Sequence, residues 1–213
     1  MNVRDPVLDV RLADGSDSRV RGLGDLTVAG GLQWAPAEFG NGVFVHRLMV
    51  AVGVPTGKYS DEQPVNVGNH FVVLDPYYAL TYEWQKLEFS ARLHYLWNSV
   101  NHDPFVGFGV NNVRAGQAFH MNYAASYELV KGVRVGFNGY WLQQLTDHKV
   151  DGVNVPGSLE RTVGLGGGIQ VFFGRETWFH LNGYSETDVL NRARGFSVTL
   201  RVTKGIPSAK TEG

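Results

Sequence analysis

LEFSARLHYLWN, running from Leu87 to Asn98, alternates almost residue by residue. Leu87, Phe89, Ala91, Leu93, Tyr95 and Trp97 fall on one side of an extended chain. Glu88, Ser90, Arg92, His94 and Asn98 fall on the other, with Leu96 the only intruder. A period of two belongs to a β-strand, whose successive side chains point to opposite faces. The stretch is roughly twice as long as the usual soluble strand. It is about long enough for a tilted strand to cross a bilayer.

The pattern recurs on both sides of this stretch. In FSVTLRVT, Phe196, Val198, Leu200 and Val202 oppose Ser197, Thr199, Arg201 and Thr203. Between Phe119 and Leu129, Phe119, Met121, Tyr123, Ala125, Tyr127 and Leu129 oppose His120, Asn122, Ser126 and Glu128. Nine strands are predicted, at 22–34, 43–54, 70–84, 87–98, 117–129, 132–145, 160–173, 176–186 and 195–204. Short links at 35–42, 85–86, 130–131 and 174–175 alternate with long polar ones at 55–69, 99–116, 146–159 and 187–194. Short turns at one end and long loops at the other mark an up-and-down membrane barrel. A soluble sandwich has no need of that asymmetry.

Composition narrows the class. The 213 residues are 43% hydrophobic, which argues against disorder. A net charge of −1 gives no electrostatic case for a nucleic-acid partner. The 27 glycines and 26 aromatic residues suit twisted sheet better than helix. There is no cysteine, hence no disulfide and no thiolate metal site. No apolar run reaches the roughly 18 residues of a membrane helix, but barrel strands need only alternate.

Alternation alone does not say which face is inside. Three observations turn the apolar face outward. The five Trp lie at strand ends: Trp34, Trp84 and Trp178 beside short links, Trp97 and Trp141 near long ones. That is where amphipathic rings meet lipid headgroups. The polar face carries Arg47, Arg92, His94, Arg134 and Arg201 mid-strand, which suits a wet lumen. The strands also have membrane-spanning length. The expected lumen lining is Arg47, Arg92, His94, His120, Asn122, Glu128, Arg134, Asn138 and Arg201. Its role would be to set charge and width in a pore. No metal site is assigned, because three ligands would have to converge and the register between strands is not legible.

Three further features bear on function. Asn101, His102, Asp103, Phe105 and Phe108 share one long loop, expected to form a constriction with an apolar lip. Pro76 interrupts a strand; lacking an N–H, it marks either a bulge or an opening in the wall. The run of Gly164, Gly166, Gly167 and Gly168 lacks the Lys-Ser/Thr ending of a phosphate loop and reads as a closely packed strand. A lipid hydrolase would need a nucleophile, a base and an orienter. Ser99, His102 and Asp103 are the nearest set, without an elbow or an oxyanion donor. A structural or adhesive barrel is the other alternative.

The blocks FVHRLMVAVGVPTGKYS (44–60), NHFVVLDPYYALTYEW (69–84), LEFSARLHYLWNSVNHDP (87–104), GQAFHMNYAASYEL (116–129), VGFNGYWLQQLTDHKVDG (135–152) and VPGSLER (155–161) carry a resemblance. Together they resemble the outer-membrane family named for phenol degradation by the meta pathway, from Gly22 to Ile206. The resemblance implies a monomeric channel of about twelve strands in the outer membrane, passing small, often hydrophobic or aromatic molecules. It implies no enzyme activity and no cofactor, with membrane lipid and the permeant as the only partners.

Nine strands is three short of that family barrel. An odd count would also put the two ends of the wall on opposite sides of the membrane, whereas bacterial barrels have even counts. The expectation is therefore one barrel domain over 1–213 that lacks N-terminal strands and a signal peptide. Residues 1–21 would lie outside the barrel, 207–213 would form a tail beyond Ile206, and the wall would be open between 22–34 and 195–204.

Overall fold

The computed structural model describes residues 7–11, 17–174 and 176–205. The strands in chain order are β1 (Val7–Arg11), β2 (Asp17–Arg21), β3 (Leu26–Gln33), β4 (Ala37–Phe39), β5 (Gly42–Val54), β6 (Val73–Trp84), β7 (Leu87–Asn98), β8 (Val113–Arg114), β9 (Ala118–Val130), β10 (Val133–Gln144), β11 (Lys149–Val150), β12 (Val153–Asn154), β13 (Arg161–Phe173), β14 (Thr177–Leu190) and β15 (Phe196–Lys204). β1 and β2 pair with each other only, as a hairpin outside the main sheet. The described part of the segment predicted as a non-barrel loop over 1–21 thus holds two strands, which pair with no wall strand among the described residues.

The main sheet runs β15-β14-β13-β10-β9-β7-β6-β5-β3, antiparallel throughout. β4 continues β3 along β5 after a one-residue slip: Gln33 pairs with Arg47, whereas Ala37 pairs with Phe44. This extends the first wall strand to a two-residue turn at Gly40–Asn41, where the sequence predicted an eight-residue link. Counting β3 and β4 as one interrupted strand, the described residues contain the nine wall strands predicted. β14 runs four residues past its predicted end and shortens the last long loop to 191–195. Among the described residues no ladder joins β3 to β15, and each has a single partner. Ile206 and the tail lie outside the described residues.

Side-chain rows follow from the register. Arg92 pairs with Asn122, Asn122 with Tyr140, Tyr140 with Gly164, and Gly166 with Tyr184. Because the period is two, one match fixes the face of every residue on both strands. The opposite row is apolar and exposed, through Leu48, Phe89, Tyr127, Phe137, Leu165 and Leu181. Buried apolar residues are few: Val20, Ala51 and Ala118 among those described. A soluble protein would hide that row; a membrane wall presents it to lipid. Trp34, Trp84, Trp97 and Trp141 lie on the outward row. Trp178 does not: it shares its face with His180 and Asn182, against Phe172 at 5.0 Å. Outside, Trp34 stacks on His46 at 4.5 Å, and the Tyr78 hydroxyl bonds His46 Nδ1 at 2.9 Å. That cluster gives a histidine a partner on a lipid-facing row.

The glycine-rich strand packs closely, as the sequence suggested. A Cβ on Gly164 would strike the ring of Tyr140, and one on Gly166 would strike the Gly183 carbonyl and the Tyr184 ring. Two predictions follow from the rows. Leu181→Arg, mid-strand on the outer row, should destabilise the folded protein by about 2–4 kcal/mol in urea titrations in lipid vesicles. Gly166→Ala should cost about 1–3 kcal/mol in the same titration, because backbone must move to admit the methyl.

Candidate channel lumen

The inner row borders an open cavity of about 590 Å³ lined by charged, polar and apolar residues. Of the predicted lining, Arg47, Arg92, Asn122, Arg134, Asn138 and Arg201 border it. His94 and His120 lie beyond it toward the long loops; Glu128 lies toward the short turns, where it accepts the Gly132 N–H at 3.0 Å.

The charges in this lining are unequally matched. Arg134 Nε lies 3.6 Å from Glu88 Oε2 and donates to Ser126 Oγ at 3.1 Å. Arg92 stands over the Tyr77 ring, 5.2 Å from its centroid. Arg47, Arg92 and Arg201 have no ion-pair partner among the described residues. They come from β5, β7 and β15, so the positive charge is spread around the wall. Asn138 Nδ2 donates to Asn182 Oδ1 at 2.5 Å, and the Tyr140 hydroxyl to Glu186 at 2.7 Å. These bonds fasten neighbouring inner side chains and hold the lining in place.

Asp75, Tyr77, Glu88, Tyr184 and Glu186 were not among the predicted lining. Asp75 had a legible signal, since it is the single charge between Val72 and Leu80. Tyr77, Tyr184 and Glu186 were obscured because VLDPYYALTYEW and TWFHLNGYSETDVL do not alternate cleanly, whereas Glu88 already fell on the polar face of Leu87–Asn98.

At Pro76 the two neighbouring ladders differ. On the β5 side Val50 pairs with Pro76 and Ala51 with Asp75. On the β7 side pairing passes from Leu74–Trp97 to Tyr77–His94 and skips Asp75 and Pro76. The register is unchanged across the gap, so this is a local loss of hydrogen bonds and not a bulge. Proline supplies no N–H for the ladder there.

The loop over 99–117 is bolted to its neighbours. Asn101 bridges to Val113 and donates from Nδ2 to the Tyr59 hydroxyl at 3.1 Å. That hydroxyl donates to the Asp103 carbonyl at 2.6 Å, and the Asp103 carboxylate lies 3.0 Å from His70 Nε2. His102 Nδ1 and Asn112 Oδ1 are 2.6 Å apart. Phe105 and Phe108 meet edge to face at 5.4 Å on a short 3₁₀ turn, with Phe108 exposed. β8, β11 and β12 join this loop to the next in a small sheet. Ser99 Oγ accepts the Val72 N–H at 2.9 Å, while His102 and Asp103 hold other partners, so the three do not form a relay.

A search of curated proteins found no match. Among solved structures, the chain is similar to the crystal structure of an outer-membrane channel from Pseudomonas putida F1, with a TM-score of 0.77 and 18% identity over 89% of this chain and 72% of that one. The likeness identifies the fold as that of an outer-membrane β-barrel, as the apolar outer row requires. The family described as "Putative MetA-pathway of phenol degradation" matches residues 2–202. With nearly the whole chain covered, this protein belongs to that family.

Proposed function

We propose that the protein is a passive channel of the outer membrane for small, hydrophobic or aromatic molecules. The observation that carries this reading is the cavity of about 590 Å³, bordered by Arg47, Arg92, Arg134 and Arg201, inside a wall whose outer row is apolar. A sealed, adhesive barrel has no use for such a space. Passage down a gradient needs no cofactor and no bond-making step, so selectivity rests on width and lining. The family description and the channel fold of the similar structure support the same reading.

The lining bears on the permeant. Arg47, Arg92 and Arg201 lack acidic partners among the described residues, and the Tyr77 ring stands beside Arg92. Guanidinium groups favour carboxylates and π-faces, so an aromatic acid or phenolate suits the bore. Pro76 supplies a second part of the route: the ladder gap beside it is a place where an apolar molecule can leave sideways into lipid.

In planar bilayers under a KCl gradient, the protein should conduct with a preference for anions. Arg92→Gln should move the reversal potential toward the cation side; an unchanged potential would remove the arginines from selectivity. A preparation that never conducts would reject the open pore. Pro76→Ala should slow uptake of an uncharged aromatic into vesicles while leaving ion conductance intact. Equal uptake by the two proteins would remove the side exit.

A further inference from the structure

Asp75, His94 and His120 sit on neighbouring strands β6, β7 and β9, toward the long-loop end of the lumen. His94 and His120 are directly paired across the ladder. One candidate ligand atom from each of the three residues lies within 4.8 Å of the others. His94 is 6% exposed. Its Nδ1 lies 2.8 Å and 3.1 Å from the two Asp75 oxygens. A carboxylate in that position accepts the Nδ1 proton and leaves Nε2 with a bare lone pair. Nε2 is buried and has no hydrogen-bond partner.

His120 does not relieve it. The two rings stack at 4.0 Å with 13° between their planes, so neither can donate in-plane to the other. His120 itself has no hydrogen-bond partner among the described residues. Tyr77 packs the opposite face of His94 at 4.8 Å and locks its plane. A lining built only for packing would not leave a buried imidazole nitrogen orphaned, at a cost of roughly 1–3 kcal/mol.

We infer that His94 and His120 bind a divalent transition-metal ion, with Asp75 orienting His94. The carboxylate–histidine–metal relay is a common way to fix tautomer and ring direction. Imidazole ligands suit Zn²⁺, Ni²⁺ and Cu²⁺ rather than Mg²⁺ or Ca²⁺. With bonds of about 2.0–2.1 Å, two coordinating nitrogens stand roughly 3.3–3.5 Å apart in a tetrahedral site. The near-parallel rings reach that arrangement when half-buried His120 turns about its side-chain torsions. Lumen water fills the remaining positions. Arg92, two residues from His94 on the same face, opposes the ion's charge; its guanidinium is drawn over Tyr77, and Asp75 offsets it.

The test is a calorimetric titration of Zn²⁺ into the full chain, folded in detergent and prepared without a polyhistidine tag. Saturable binding of a single ion is expected, with no response to Mg²⁺. His120→Gln should weaken binding roughly tenfold or more, and Asp75→Asn by about 10–100-fold. His70→Gln, in the loop pair with Asp103, should change nothing. Folding of each variant is checked by its heat-dependent gel mobility. Should His94→Gln fail to fold, His120→Gln, at a more open position, decides. Absence of saturable binding, equal binding of Mg²⁺, or unchanged affinity in folded His120→Gln would each overturn the site.

Discussion

Inside a bilayer no water is present to satisfy a peptide group, so each N–H and C=O must find a partner within the protein. This constraint governs the rest of the structure. Strands meet it only by pairing with neighbours along their whole length, which is why the sheet passes from β15 to β3 as a run of long antiparallel ladders. Pairing fixes register, and register fixes which residues face lipid and which face the bore. The arginines of the lumen and the aromatic rows outside therefore share one cause. Where the ladder fails, at Asp75–Pro76, the failure is visible as a defined gap.

Much of the wall was legible because this constraint writes itself into the chain. Leu87–Asn98 matches its predicted span because alternation there is nearly clean and the Gln85–Lys86 turn is short. The first wall strand was harder. Its slip near residues 34–36 broke the period, and the Ala37–Phe39 piece read as part of a link. β14 extends past Glu186 because its outer end pairs with β13 through Arg161–Leu190, a tertiary partner that local pattern does not reveal.

The site was legible only in outline. Arg92, Asn122 and Arg201 were readable as lining, since each stands opposite apolar neighbours in a regular strand. Which of them meet was not readable, because contact depends on register between strands. His94 and His120 lie in different blocks of the sequence, and only the β7–β9 ladder brings their rings together. Asp75 stands out as a lone charge in its stretch, but its contact with His94 was not readable before the strands were paired. In the loops, Tyr59, His70 and Asp103 come from two segments and meet through side-chain bonds that no periodicity encodes.

The inner glycines of β13 have a consequence for calibre. Tyr140 and Tyr184 lie where side chains of residues 164 and 166 would otherwise stand, so their rings are set into the thickness of the wall. Bore width along that sector is thus governed by what is missing from one strand rather than by what its neighbours present. A methyl added from beneath would lift a ring toward the axis. The narrowing would come with no new charge and no new polar group, so size and charge selection are separable properties of this lining.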